Sequence, residues 1–360
     1  MDEAAKTALL RRNEGIIEAV KAKAERECPG AVDLIAVTGS FCSGDFYEKS
    51  DLDLLIVIND KAGWNVAKCF ILGDTAHDIY CHTWKRLERM AEYRDPHVIK
   101  LVNVDIVYCS GEEAAQKYDG LREKLLQILN TPLDWETLDK ARGYFQSALA
   151  EYGRFCLEDD FSRCRYRSAW IIYYIENTLY MLNKEYIRHG IQGIPREICA
   201  MKILPEGFQQ LYFALITADN LPDLRRTAGE LLKSMDALLE KTGESLSPKR
   251  EISPDALRGT YEEVFSNWKN KMHRAASTSD AYLSLMTAAS CQNLYDELAG
   301  EYPIKRFDLF REFEAGNLDG AARRFDREMG RLEELYHEVG LPVCRYDSLE
   351  EFRKDYLGLD

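Results

Sequence analysis

The hydrophobic pattern changes period about a third of the way along the chain. Four short runs, "VDLIAVTGS" from Val32, "DLDLLIVIND" from Asp51, "HDIYCHTW" from His77 and "NVDIVYCS" from Asn103, are rich in β-branched and aromatic residues and end in turn residues. That is the pattern of strands. The N-terminal stretch places Leu9, Ile16, Val20 and Ala24 on one helical stripe, and "AGWNVAKCF" and "WKRLERMAEY" read as helical intervals between strands. Strands alternating with helical intervals predict a small mixed sheet with flanking helices over residues 1–125.

Beyond that point strand signals nearly vanish. "WETLDKARGYFQSALAEYGRFCLEDD", "YRSAWIIYYIENTLYMLNKEYIRHG", "FQQLYFALITA" and "LPDLRRTAGELLKSMDALLEKTG" keep a helical period, punctuated by Gly190, Gly193, Pro195 and Pro205. They predict a helical bundle over residues 126–245. The polar break "GESLSPKREISPDA" then sets off residues 246–360 as a C-terminal helical domain or an extension of the bundle. The fold class expected is α+β, a small sheet domain followed by a large all-α region.

Composition narrows the chemistry. With 360 residues, 46% of them hydrophobic, the chain can bury more than one core. The formal net charge of −14 and the lack of a basic stripe argue against nucleic acid as a general partner, because phosphate contacts need a positive surface. The ten cysteines form no CxxC pairs, so neither a zinc site nor a disulfide framework is signalled. A charged, amphipathic N-terminus and the lack of any apolar run near 20 residues favour a cytoplasmic protein without a membrane span.

One stretch sets a charge problem. In "GSFCSGDFYEKSDLDLLIVI", Asp51 and Asp53 share one face at the mouth of a strand that is apolar on both faces afterwards. Burying an unpaired carboxylate costs several kcal/mol, so the pair needs a partner. Magnesium takes oxygen ligands and is usually held by one or two carboxylates plus substrate phosphates. Gly39-Ser40, at the turn after the strand "VDLIAV", offers close backbone approach and a hydroxyl to such phosphates. The intervening "FCSGDFYEKS" has room for one short helical turn before Ser50 leads back into the strand.

A Gly-Ser turn, about ten residues, then acid-apolar-acid-apolar on a strand resembles the DNA polymerase beta-like nucleotidyltransferase superfamily. Among its members the chain is similar to the bacterial small-molecule enzymes that modify aminoglycosides and lincosamides. The motif covers residues 39–54 and the domain resemblance roughly residues 25–120. The resemblance implies a two-metal site in which Asp51 and Asp53 hold magnesium together with a third carboxylate. Asp78, opening "DIYCHTW", is preferred for that role over Asp105. Gly39, Ser40, Lys49 and Ser50 are the expected nucleotide-side residues. The implied reaction is in-line attack of an acceptor hydroxyl on the α-phosphorus of a nucleoside triphosphate, ATP being the expected one, with release of pyrophosphate.

The resemblance further implies that the helical region supplies a general base and much of the acceptor pocket. Glu176, an acid in an apolar and aromatic helix, is the first candidate and Glu151 the second. The competing role for Glu176 is a core-rim acid paired to a cation, and the tyrosine-rich helix around it reads more readily as core than as pocket. One departure stands out: many relatives have an arginine soon after Gly-Ser, where this chain has Phe41, Cys42 and Ser43. Lys49, Arg163, Arg165, Arg167, Lys184 and Arg188 are then the cations available to a triphosphate. The expected acceptor is a small hydroxylated molecule, an antibiotic being the nearest analogy. Two rival readings stay open: a toxin–antitoxin or regulatory enzyme modifying a protein or transfer RNA, and an inactive nucleotide-binding module. The sequence sets no oligomeric state, and a homodimer is open.

Overall fold

The structure is a computed structural model that describes residues 2–246, 249–311 and 313–358. It divides into two compact units, Met1–Leu246 and Ser247–Asp360. The first opens with α1 (Glu3–Glu27), capped by Asp2, whose carboxylate accepts the Ala5 N–H at 2.7 Å. Leu9, Ile16, Val20 and Ala24 form its buried stripe, as the periodicity requires. There follow β1 (Val32–Thr38), the single turn α2 (Ser40–Ser43) and β2 (Asp53–Ile58). After them come β3 (Lys68–Leu72), β4 (Thr75–Ile79), β5 (Cys81–Thr83), α3 (Trp84–Ala91), α4 (Ile99–Val102), β6 (Asp105–Cys109) and α5 (Glu112–Asn130).

The main sheet has the order β5-β2-β1-β6, with β1 antiparallel to both neighbours and β2 parallel to β5, so it is mixed. Strand alternation sends its two faces into different cores. Ile35, Leu54, Ile56 and Ile58 pack with α1. Leu34, Ala36, Leu55 and Val57 join a larger core that continues through the helices as far as Leu239. Those helices are α6 (Trp135–Cys156), α7 (Phe161–Leu182), α8 (Ile194–Cys199), α9 (Phe208–Thr217) and α10 (Leu221–Leu246). One face of the sheet thus shares a continuous interior with the helices from α3 to α10, the other packs with α1 in a second core, and the fold class is α+β.

One segment departs from its expected state. "AGWNVAKCF" is not a helix: Asp60 caps a 3-10 turn at Lys61–Val66, and the chain then enters β3. Gly63 lies so close to Ile58 that an added Cβ would sit 2.5 Å from the isoleucine Cγ2. β3 is recruited by β4 across the two-residue turn Gly73-Asp74, with Leu72 opposite Thr75 and Gly73 at φ +65°. A Gly-Asp pair between apolar runs is a hairpin signal, and here it overrides the helical spacing.

In the second unit α11 (Pro254–Leu257), α12 (Thr260–Val264), α13 (Asn270–Thr278), α14 (Ala281–Glu301), α15 (Leu318–Glu338) and α16 (Leu349–Leu357) are helical, with a π turn at Phe265–Lys269 joining α12 to α13. Its own core is built on Tyr295 stacked on Phe307 at 4.1 Å, with Phe325, Leu332 and Tyr336 around them. Among the described residues, no helix of either unit is long and apolar enough to cross a membrane.

Lys184, one of the cations expected at the nucleotide, is a structural residue. Its buried ammonium donates to Thr131 Oγ1 and the Pro132 carbonyl at 2.9 Å and to Asp134 at 2.8 Å, tying the end of α7 to the start of α6. Burial works against the Asp134 charge, but Lys184 and the Thr137 N–H outweigh it and hold the carboxyl down at about 2. A depressed carboxylate contributes stability above its unfolded value near 4 and loses it as pH falls toward 2. Lys184→Met should therefore cost about 1–3 kcal/mol at pH 7, read by urea denaturation, and the gap to the wild type should narrow at pH 3. An equal gap at both values would remove the ion pair from the account.

Candidate active site

The site starts where β1 hands over to α2. Gly39 has φ +69°, and a Cβ there would lie 2.1 Å from Asp53 Oδ2. Only glycine allows this approach, because the Asp53 carboxylate rests against the Gly39 backbone. Thr38 pairs directly with Asp53, which is the first residue of β2, so Asp51 precedes the strand and is exposed. Ser50 is buried and spends its groups locally: its hydroxyl accepts the Tyr47 N–H at 2.9 Å and its carbonyl accepts Arg12 Nη2 at 2.6 Å. Arg12, reaching from α1, fixes the peptide that delivers Asp51.

Burial, and then the neighbouring charge of Asp51, push the Asp53 carboxyl above the ordinary carboxylate value, with Lys100 opposing. Lys100, on α4, is itself held low by burial, while Asp53 and Asp78 pull it up. Part of the missing charge partner is therefore a lysine of this chain. The clue in the sequence was a lone cation inside the apolar run "HVIKLV".

The two candidates for a third carboxylate lie in different sheets, Asp78 on β4 of the two-stranded β3–β4 sheet and Asp105 on β6 of the main sheet. β5 runs parallel to β2 with Val57 beside His82, while Asp78, just before β5, pairs with Cys69 of β3 and, like Asp53, acts on the Lys100 ammonium. Ile79 and Cys81, the intervening residues, point into the opposite core with α1. Asp78 is exposed, and its Oδ1 accepts the Cys69 thiol at 3.0 Å. Asp105 pairs with Val37, on the α1 face, and its carboxylate lies 3.6 Å from Cys42 Sγ.

The "FCS" stretch is packing. Phe41 stacks on Phe46 at 4.7 Å, and Cys42 Sγ reaches the Val37 carbonyl at 3.2 Å. Burial, with Asp105 adding to it, pushes the Cys42 thiol up to about 11.

Gly39, Ser40, Asp51 and Asp53 form one side of a cavity of about 680 Å³, with Lys49 and Tyr47 also lining it. Its other side is residues 187–193 together with Arg196, His97 and Ile99. Glu197 holds that wall: it accepts the N–H of His189 at 2.7 Å, the N–H of Arg188 at 3.3 Å and the Tyr180 hydroxyl at 2.7 Å. Ile187 donates to the Pro96 carbonyl at 3.3 Å, and His189 meets Asp45 in a direct ion-pair contact.

The cations named from sequence separate cleanly. Lys49 lines the cavity and pairs with Asp74 at 2.8 Å; Arg188 lines it and pairs with Glu185. Arg163 pairs with Glu158 at 3.5 Å, Arg165 donates to carbonyls at the end of α9, and Arg167 holds Glu151 at 3.0 Å. Glu176 accepts the Tyr212 hydroxyl at 2.6 Å, and burial pushes its carboxyl up against that bond. It is not among the side chains lining the cavity. His97, His189 and Arg196, which do line it, carried no motif; the glycines at 190 and 193 marked their segment only as a break.

Among the described residues no three His, Cys, Asp or Glu side chains converge as a metal cage. The donor set that exists, the Asp51–Asp53 pair beside an open cavity, suits a hard cation that takes its remaining oxygens from phosphates. The raised Asp53 carboxyl says the same thing: the pair is under-neutralised by the protein alone.

Two consequences can be measured. Because the Asp53 carboxyl is raised, the folded state holds its proton more tightly than the unfolded chain, so this group costs stability as pH rises. Asp53→Asn should raise the melting temperature by a few degrees at pH 7.5 in chelator, with less gain at pH 4.5; a lower melting temperature at pH 7.5 would contradict the charge assignment. Gly39→Ala, by contrast, should lower the melting temperature, since it costs about 1 kcal/mol of stability for the positive φ alone and more for the displaced carboxylate. An unchanged melt would show that the Gly39–Asp53 approach is not enforced.

Comparison with known proteins follows the same outline. Residues 14–156 match the family model of the nucleotidyltransferase domain. The matched segment holds Gly39, Ser40, Asp51, Asp53 and Asp78 and ends with α6, before the wall at residues 187–196. No curated protein matches the chain. Among solved structures, a nucleotidyltransferase-like protein from Exiguobacterium sibiricum is similar at 12% identity over 92% of this chain and 95% of that one, with a TM-score of 0.36. The match to the nucleotidyltransferase domain model is thus confined to residues 14–156.

Proposed function

We propose that residues 1–246 catalyse transfer of a nucleoside monophosphate from a nucleoside triphosphate, ATP first among them, to a hydroxyl of a small acceptor. The observation that carries this is the Asp53 carboxylate seated on Gly39 beside Asp51, at the edge of a 680 Å³ cavity with Ser40 and Lys49 in its lining. Asp51 and Asp53 would hold magnesium, with Asp78, which like Asp53 acts on Lys100, as the third carboxylate. When bound, the metal supplies Lewis-acid neutralisation of the triphosphate and of the attacking oxygen.

The chain's own residues do the rest. Gly39 keeps the Asp53 carboxylate against the turn, and Arg12 fixes the Ser50 peptide so that Asp51 stays beside it. Lys100 limits the repulsion between the acids, which lets them stay close before any ligand arrives. Lys49, Arg188 and Arg196 are the cations lining the cavity, and they take the place of the arginine that Phe41–Ser43 does not provide. Glu176 enters only as the acceptor of the Tyr212 hydroxyl. A small acceptor suits the cavity's size, and a nucleic acid does not suit a chain of net charge −14.

Calorimetric titration of the full chain with ATP, with and without magnesium, tests this. Binding should need the metal, and Asp51→Asn or Asp53→Asn should weaken it at least 100-fold while the far-UV circular dichroism stays unchanged. Equal affinity with and without metal would overturn the site. Incubation with labelled triphosphates and hydroxylated small molecules, transfer RNA or lysate protein should place the label on a small molecule; label on a macromolecule would overturn the acceptor class.

A further inference from the structure

A second cavity, of about 480 Å³, lies between α1 and the β3–β4 hairpin, away from the acids. Its floor is apolar: Ile16, Val20, Val66 and Ile79 are buried, and Phe70 and Leu72 continue the surface toward solvent. Its rim is cationic, with Arg11, Arg12, Lys23 and Lys68, and no aspartate or glutamate lines it. In a chain of net charge −14 that local balance is unusual. Arg11 and Lys68 are exposed and form no ion pair among the described residues, whereas Lys23 reaches Glu27 at 3.4 Å and Arg12 is committed to Ser50 and Thr75.

The helix surface is bare where the groove is deepest. Gly15 and Ala19, one turn apart, both line it, and a Cβ added at Gly15 would meet nothing within 4 Å. A glycine in a helix interior lowers helix stability relative to alanine, and here no tight contact or positive φ demands it. What it does is widen an apolar trough whose rim is positive. The volume falls within the roughly 300–1,000 Å³ of small-molecule sites.

We infer that this groove binds a soluble single-chain amphiphile with an anionic head: the alkyl chain lies in the trough over Gly15 and Ala19, and the head meets Arg11 and Lys68. The apolar floor selects a chain, the rim selects a negative head, and the absence of carboxylates leaves nothing to favour a cationic one. Arg12 links the groove to the active site, because the side chain that lines the trough also holds the Ser50 carbonyl one residue before Asp51. None of this depends on which nucleotide or acceptor the other cavity takes.

Monomeric alkyl carboxylates, titrated below their micellar concentrations into the full chain, test it by calorimetry. Dodecanoate should bind saturably at one per chain, and each methylene removed should weaken binding about fourfold, so octanoate should bind about 250-fold more weakly. Dodecyltrimethylammonium should not bind. Arg11→Glu and Lys68→Glu should each weaken dodecanoate at least tenfold. Ala19→Trp fills the trough from its exposed side and should abolish binding with an unchanged thermal melt. Absent binding, equal affinity for the cationic amphiphile, or dodecanoate affinity untouched by Ala19→Trp would overturn the inference. So would sedimentation of the protein with anionic vesicles in place of binding the monomer, or a dimer in sedimentation velocity that Ala19→Trp dissolves.

Discussion

Two carboxylates placed side by side at the end of a central strand are the constraint on which the rest of the first unit turns. Asp53 cannot move away from Asp51 into the sheet, because Leu55 and Val57 follow it on the same face into a fully buried apolar core. Nor can it swing outward through the turn, because the Gly39 backbone occupies that side. The cost of holding it there is visible as a raised carboxyl, which Lys100 offsets only in part. Several neighbouring features then acquire a reason. Gly39 has no side chain because the acid takes its place, Ser50 is buried and bonded because it sets the position of Asp51, and Arg12 spans from α1 because that peptide needs a donor.

Much of this was legible in the sequence, for identifiable reasons. Strands that alternate or run apolar between turn residues are read from a period of two, and β1, β2 and β6 lie where that period puts them. The short helical turn inside "FCSGDFYEKS" appears as α2. β3 was hidden because its short apolar run, Cys69–Leu72, continues a stretch with helical spacing and is exposed at most positions. Its strand state comes from pairing with β4 across Gly73-Asp74, so the signal lay in the turn and not in the run. Lys100 was hidden for a different reason: its meaning depends on α4 packing over the sheet end, which no local spacing encodes.

The cavity's far wall is the least readable part. Residues 187–193 carry no periodic pattern, and what positions them is one carboxylate, Glu197, reaching back to two peptide N–H groups and to Tyr180 on α7. Such an arrangement joins residues 17 apart in sequence through side chains, so composition shows only glycines and a break. The tyrosines of α7 illustrate the same limit. Tyr180 is fully buried and braces the wall, whereas Tyr166 and Tyr173 on the same helix are exposed. One aromatic-rich run therefore serves both core and surface, and the packing of α6, α8, α9 and α10 on α7 separates the two.

The cations make the point most sharply. Sequence offers six of them to a triphosphate with nothing to rank them, since a lysine or arginine on a helix looks the same whether it faces a carbonyl, a carboxylate or a cavity. The fold assigns four to structure: Lys184 to the α6 cap, Arg165 to the α9 carbonyls, Arg167 to Glu151 and Arg163 to Glu158. Lys49 and Arg188 remain at the cavity, joined by Arg196. Phe41 and Cys42, where an arginine was missed, are committed to the opposite face of the sheet through Phe46, Val37 and Asp105. A cation at position 42 would sit beside the Asp105 carboxylate, with Asp53 also within electrostatic reach. With the cavity's positive charge placed at residues 49, 188 and 196, the turn after Gly39 packs as an apolar corner, and the cations stand on the cavity's rim and far wall.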